Sequence, residues 1–551
     1  MTESNPLKRL LGDLPLTAEL YWSLRAGRKP WSSHFNLEGL KPVFPTAVAE
    51  VKALRADKAQ GKKVLLFATL HYWIAESSLI ALALAGQGHQ VSLGYLPYAE
   101  WDREINHFDL RQQDLYAGDI LKPTREVMQI VPLLRQMDQN PDLSHFPEPL
   151  SRIVEHVSDY DTQYTLQSEK TDCNSPLYAL RFHRNAQAAA VLYEWFSREQ
   201  PDIVIVPNGT ILEMGVAYAV AEFLGIKTIT FEFADQRERI WLAQDGEIMA
   251  HDTDDLWGAL GGQPLPDKAR RAMVDLLSAR KNAKLWGNFA RQWQQTPVQG
   301  APSVRLALNL DERPMALLAT NVLGDSLTLG RQQISETMAD WIVGTIRYFS
   351  SRSDFQLVIR VHPGELLTHG TSMTQVIRHA FPQLPENIHL LAADDKTNTY
   401  DLIETTDLGL VYTTTAGLEM AMTGLPVIVA GKTHYARKGF TLDPTSWQEY
   451  EQVLNRVMAE PHAFRLSEKQ IEQAWLYAYL FFFEFSLPFP WHLVWLGEDF
   501  REKPLSYVLS EEGQKRFGRT FGYLVGERLN WAERGLARLQ ELPEMVEEAH
   551  D

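Results

Sequence analysis

The 551-residue chain contains one cysteine, Cys173. That excludes an intrachain disulfide and any zinc site built on several cysteines, and it fits a reducing cytoplasm. Basic residues are in deficit: 53 lysines and arginines face 70 aspartates and glutamates, for a net charge of -17. A general nucleic-acid binder needs a basic face, so that class is disfavoured, although one small basic pocket for a phosphorylated ligand is not. No apolar run reaches the roughly 20 residues of a membrane span. The nearest, "AWLYAYLFFFEFSLPFPWHLVWLG", is interrupted by Glu484 and two prolines. The start, "MTESNPLKRLLGDLPL", lacks the apolar core of a signal peptide, so a soluble protein is expected. Short repeats, low-complexity tracts and a GxGxxG fingerprint are also missing.

What remains is an ordinary globular composition, 45% hydrophobic and 22% charged. The length exceeds one core, since domains usually hold roughly 100–200 residues. The recurring unit is α/β. "KKVLLFATL" reads as a buried strand, "WIAESSLIALALAGQG" as a helix with a glycine-rich stop, and "HQVSLGYLP" as the next strand. "PDIVIVPNG", "ILEMGVAYAVAEFLG" and "IKTITFEF" repeat the pattern, and together these imply a parallel sheet covered on both faces. Residues 281–314 lose the period and gain proline, glycine and polar residues, which places an interdomain linker there. A second series follows through "MALLATNV", "FQLVIRVHPGE", "IHLLA", "DLGLVYTTT" and "LPVIVAG". The expected domains are therefore 1–300, 301–463 and a helical segment, 464–551, packing back across both. Two Rossmann-like doubly wound domains facing a cleft would hold ligands at the carboxyl ends of their strands.

Four stretches carry candidate chemistry. "DLGLVYTTTAGLEMAMTG" delivers Thr413, Thr414, Thr415 and Gly417 between a strand and a helix, and such a helix start attracts anions through its unpaired N–H groups. One threonine suffices for an N-cap, so three in a row favour a phosphate socket over a plain turn. Glu419, on the first helical turn, reads either as a dipole-favoured cap residue or as an acceptor for a sugar hydroxyl. "LVIRVHPGE" ends a strand in His362 and Pro363, with proline fixing the turn that aims the imidazole; Arg360 is read equally as a sheet-face residue. "AGKTHYARKGFT" gathers Lys432, His434, Tyr435, Arg437 and Lys438 on one loop, and "ATNVLGDS" places Asn321 and Asp325 at a strand end.

In the first half, "ATLHYWIAESS" puts His71 and Glu76 just past a strand as candidate proton acceptors, with Asp102 a more distant one. Asn208, Gly209, Glu232 and Asp235 line other strand ends as acceptor-side candidates. Arg184 reads as a surface basic residue, or as one that reaches an anionic acceptor. The aromatic C-terminal stretch reads as a packed terminal helix, with peripheral contact at the inner membrane as the alternative.

Taken together, "TNVLGDS", "LVIRVHPGE" and "DLGLVYTTTAGLEMAMTGLPVIVAGKTHYARKGFT" resemble the capsule polysaccharide biosynthesis family, which includes the Kdo-transferring capsule enzymes. The resemblance covers about residues 315–445 and extends more loosely into the first half. It implies a GT-B-like fold and a glycosyltransferase that moves a sugar from a CMP-, UDP- or GDP-linked donor to a glycan or glycolipid. It also implies that the His-Pro turn and the Thr/Gly loop hold the nucleotide, with Glu419 against the donor. The retaining signature of two glutamates separated by seven residues is missing, because counting on from Glu419 reaches Val427. No DxD motif stands in a convincing setting, "DTDD" at 252–255 included. The expectation is an inverting enzyme with no metal and no cofactor beyond its nucleotide-sugar co-substrate. Two alternatives stand beside it: an epimerase of the UDP-sugar 2-epimerase type, and a non-catalytic polysaccharide-binding or assembly protein.

Overall fold

The computed structural model describes residues 6–24, 34–56, 58–138, 140–284, 294, 296–368 and 370–533. Much of the expected linker, the first five residues and the end of the C-terminal segment lie outside these. The chain divides into two compact units.

The first unit comprises residues 1–162, 171–249 and 487–529. Its strands are β1 (Lys63–Thr69), β2 (Gln90–Leu96), β3 (Gln129–Pro132), β4 (Ile203–Pro207), β5 (Lys227–Phe233) and β6 (Arg239–Gln244). The second unit comprises 163–170, 250–486 and 530–551. It holds β7 (Met315–Ala319), β8 (Gln356–Arg360), β9 (Ile388–Leu391), β10 (Leu408–Val411) and β11 (Val427–Val429). A two-residue strand, β12 (Leu487–Pro488), returns to the first unit and pairs antiparallel with β6.

The sheet orders are β12-β6-β5-β4-β1-β2-β3 and β11-β10-β7-β8-β9. Within each, five strands run parallel in the doubly wound order 3-2-1-4-5, reversing between β1 and β4 and between β7 and β10. The Val-, Ile- and Leu-rich runs form these strands because both faces are covered, leaving no polar alternation to preserve. The helix His71–Gly86 follows the same logic: it is buried on every face from Ile74's turn to its end, apart from Ala75. In the second unit, Trp341, Ile342, Ile346 and Phe349 of the helix Met338–Ser350 share one core with Leu318, Ile359 and Leu410 of three adjacent strands.

The division at 300 differs from the observed one, which falls at 249/250. The helix Asp267–Lys281 joins the second unit because its cations have partners there. Arg270 pairs with Glu472 and lies 5.7 Å from the Trp475 ring, and Arg280 pairs with Glu419. Nor is the C-terminal segment one body: residues through Ser486 belong to the second unit, and 487–529 to the first. Its aromatic stretch is packed, with Tyr477, Phe481, Phe482, Phe483, Phe485 and Phe489 all buried. Among the described residues, no helix is long and apolar enough to cross one.

Arg181 locks the helices of the first unit together. It is wholly buried and donates to Asp161 at 3.0 Å and to Glu213 at 2.9 Å, each from a different helix. Arg184, one turn on, is buried as well. It lies 4.4 Å from the Tyr98 ring and donates to the Glu100 carbonyl at 2.8 Å, which fits neither a surface residue nor one reaching for an acceptor. Removing Arg181 strands two buried carboxylates. Arg181→Ala should therefore destabilise the first unit by about 3–5 kcal/mol in denaturant unfolding followed by intrinsic fluorescence.

Candidate functional site

In the second unit the strand ends meet at the reversal. Asn321, two residues beyond β7, accepts the backbone N–H of Thr413, two residues beyond β10, at 3.2 Å. Thr320 accepts the N–H of His362 at 3.0 Å and so ties the end of β8 to the same edge. Asn321, His362 and Thr413 are thus gathered, as their positions at strand ends require.

His362 caps the short turn Pro363–Leu367, its Nδ1 accepting the N–H of Gly364 at 3.0 Å. Burial holds the imidazole below its usual pKa; Asp325 opposes it, and Arg360 adds a smaller lowering. A neutral ring that accepts at Nδ1 carries its proton on Nε2, so it is a donor without being a cation. Asp325 itself folds its loop, accepting from the N–H of Leu327 at 2.9 Å. Arg360 serves the backbone, donating to the carbonyls of Ala392 at 2.7 Å and Asp395 at 3.0 Å.

The threonine loop is built differently from the expected helix cap. The helix it opens is Ala416–Met422, and Thr415 gives it no side-chain cap. Thr414 Oγ1 accepts weakly from Ala416 N–H at 3.4 Å. Thr413 Oγ1 is buried and has no partner among the described residues. Gly417 does not make room for a ligand: a Cβ there would lie 2.5 Å from the Tyr435 hydroxyl. Tyr435 is likewise a strut and not a ligand contact, wholly buried and donating to the Thr414 carbonyl at 2.6 Å. Glu419 is held by Arg280 at 2.6 Å, and that guanidinium also lies 4.7 Å from the Phe482 ring. Of the five candidate side chains on the 431–442 loop, Lys438 is buried against Asp254, and His434 stacks on Phe481 at 3.9 Å with Nδ1 2.9 Å from the Tyr477 hydroxyl. Lys432 is exposed. Asp254 of the "DTDD" stretch is therefore an ion-pair partner, and no group of three metal-ligating side chains occurs among the described residues.

The sequence reading passed over Glu365. It accepts the N–H of Met373, at the start of the helix Met373–Ala380, at 3.0 Å, yet burial lifts its pKa to about 7. The only sequence signal was a carboxylate at the end of "HPGE", ahead of a helix start.

In the first unit, β1 ends at Thr69, and Leu70, a non-glycine residue at φ 61°, leads into the helix that begins at His71. That strained turn is the kind found where a chain must reverse at a functional edge. His71 is half-buried, its Nδ1 has no partner among the described residues, and burial, with His34 adding to it, lowers its pKa. Glu76 lies further along the same helix. Its carboxyl is 1% exposed and Oε2 has no partner among the described residues; burial and then the Glu232 carboxylate raise its pKa well above the usual range. Glu232 accepts from Asn208 Nδ2 at 3.2 Å, and Asn208 (φ 57°) also accepts Thr210 N–H at 3.1 Å. Glu76, Glu232 and Asn208 therefore form one group at the β4/β5 edge. Asp235 stands outside it, half-exposed two residues past β5.

Residues 327–474 match the family model described as "Capsule polysaccharide biosynthesis protein". No curated protein matches the chain in sequence. Among solved structures, it is similar to Thermosulfurimonas dismutans KpsC, beta Kdo 2,4 transferase (16% identity, 50% of this chain and 78% of that one, TM-score 0.32). The beta Kdo 2,7 transferase of the same KpsC is similar at 13% identity, 52% and 79% coverage and a TM-score of 0.30. A UDP-GlcNAc 2-epimerase from Neisseria meningitidis bound to UDP-GlcNAc is similar at 13% identity, 75% and 97% coverage and a TM-score of 0.24.

The raised Glu365 fixes a pH effect. Its folded-state pKa lies above the unfolded value, so the stability it contributes is full at about pH 4 and is lost as pH rises through about 7. Glu365→Gln keeps an acceptor for Met373 but has no charge to bury. Its melting temperature relative to wild type should rise steadily between about pH 5 and about pH 8. A difference that does not vary with pH would show that Glu365 ionises normally.

Proposed function

We propose that this protein is a glycosyltransferase of capsule polysaccharide assembly, moving a sugar from a nucleotide-sugar donor to a hydroxyl of a glycan or glycolipid. The observation that carries this reading is the position of the family match. It spans His362, the threonine loop and Lys432, the residues gathered at one edge of the second sheet.

In this reading the donor's nucleotide lies at the carboxyl ends of β7, β8 and β10. Asn321 and Asp325 shape one wall, and Pro363 aims His362, whose Nε2–H donates to the phosphate region. Thr413, Thr414, Thr415 and Lys432 line the other side. Gly417, Tyr435 and Glu419 act from behind, holding the loop in place. In the first unit, Asn208, Glu232 and Asp235 mark the acceptor side. His71, half-exposed and held neutral, takes the proton of the acceptor hydroxyl as its oxygen attacks the anomeric carbon. The bond to the nucleotide phosphate breaks, and its electron pair leaves on that phosphate. Glu76, buried and protonated, is not placed to receive the acceptor's proton directly. Inversion at the anomeric carbon and independence of metal belong to this proposal too.

A thermal-shift panel of CMP, CDP, UDP, GDP and their sugars tests the donor site, because a ligand that binds only the folded chain raises its melting temperature. One base class should stabilise the wild type, and His362→Ala should weaken that binding by about tenfold or more. Nucleotide release should then require an added glycan acceptor. Turnover of a UDP-sugar with no acceptor would favour the epimerase reading, and no nucleotide binding at all would favour a polysaccharide-binding protein.

A further inference from the structure

The loop that follows β7 carries a cation which the pattern of strand-end motifs does not reveal. Arg331 lies in "TLGRQQIS", and its carbonyl accepts the N–H of Lys432 at 2.9 Å. Just before that contact, Gly431 donates to the Tyr412 carbonyl at 3.2 Å, and a Cβ at Gly431 would lie 3.1 Å from both the Arg331 oxygen and the Tyr412 ring. Just after it, Thr433 Oγ1 donates to the Thr413 carbonyl at 3.2 Å. These three contacts lay the Arg331 and Lys432 backbones side by side along the edge where Thr413 emerges from β10.

The other cations of this region are already occupied. Arg280 is paired with Glu419, Lys438 with Asp254, and Arg360 with two carbonyls. Arg331 and Lys432 have no carboxylate partner among the described residues, and Arg331 is half-buried. Its charge acts on His251, which burial already keeps neutral, so the group facing the guanidinium there offers no negative charge. The Thr413 hydroxyl on the same edge is buried and also unpartnered. A half-buried guanidinium, an ammonium and a donor hydroxyl with nothing to neutralise them have the composition of a phosphate site.

We infer that Arg331 is the principal cation for the phosphate of a nucleotide ligand, with Lys432 beside it and the Thr413 hydroxyl as a third donor. This rests on the proposed donor site and adds the residue that recognises charge in it. Arg331 then stabilises the phosphate as it gains negative charge on leaving.

The test compares wild type with Arg331→Gln and Lys432→Gln by thermal shift and calorimetry, using the nucleotide that binds, its nucleoside and inorganic pyrophosphate. Lys432 is exposed, so its variant folds as wild type does and keeps the test valid if Arg331→Gln is unstable. Arg331→Gln should weaken the nucleotide about ten- to hundredfold and Lys432→Gln about three- to tenfold. The nucleoside should bind all three proteins alike, and added salt should weaken the nucleotide in wild type more than in the variants. Equal nucleotide affinity in wild type and both variants overturns the inference while leaving the donor site standing. Binding of pyrophosphate but no nucleotide, lost in Arg331→Gln, upholds the anion site and rejects the transferase reading. No response to any phosphate compound rejects both.

Discussion

The parallel pairing of strands on either side of a reversal is the constraint from which both units follow. β7 and β10 lie side by side, yet the connections leaving them turn to opposite faces of the sheet, so the loops diverge and leave a crevice at the carboxyl edge. The chain spans that gap with a side chain, Asn321, which accepts the backbone N–H of Thr413. The adjoining strand is tied in through Thr320 and His362. The first unit meets the same constraint at β1 and β4, and there the edge is filled by the Leu70 turn and by the Asn208, Glu232 and Glu76 group. The polar side chains gather where the sheet cannot close.

The strands were legible because a strand covered on both faces reads as a short unbroken apolar run, as in "IVIVP" at 203–207 and "MALLA" at 315–319. Their polar termini were equally legible, which is why His362, Asn321 and the threonines could be placed at strand ends. What could not be read was which polar residues already had partners. Glu419 looks available on a helical turn, but Arg280 lies 139 positions earlier in the chain, and no local pattern joins them. Tyr435 and Gly417 look like ligand contacts until the hydroxyl of one is seen to fill the space above the other. The domain boundary failed for the same reason. The helix Asp267–Lys281 has an ordinary surface-helix sequence, and only its distant partners Glu419 and Glu472 assign it to the second unit. The antiparallel β6 and β12 were missed too, since a two-residue strand containing proline carries no periodic signal and is tolerated only at a sheet edge.

Charge balance separates the roles that the motifs blur. Burying an unpaired ion costs far more than burying a paired or neutral one, so a folded chain neutralises the charges it buries. Arg181 with Asp161 and Glu213, Arg280 with Glu419, and Lys438 with Asp254 all obey that rule and are accounted for by folding alone. His362 and His434 obey it by staying neutral.

Glu76 obeys it in a third way, by keeping its proton. Two carboxyls that feel each other in a poorly solvated place resist ionising together, and the more deeply buried one is the natural holder of the proton. Glu232, slightly more exposed, accepts a hydrogen bond from Asn208. A purely structural design would put an apolar side chain in place of Glu76, because burial leaves one of its carboxyl oxygens unsatisfied. The cost of burying that carboxyl falls among the strand ends of the first sheet, at the edge proposed for the acceptor.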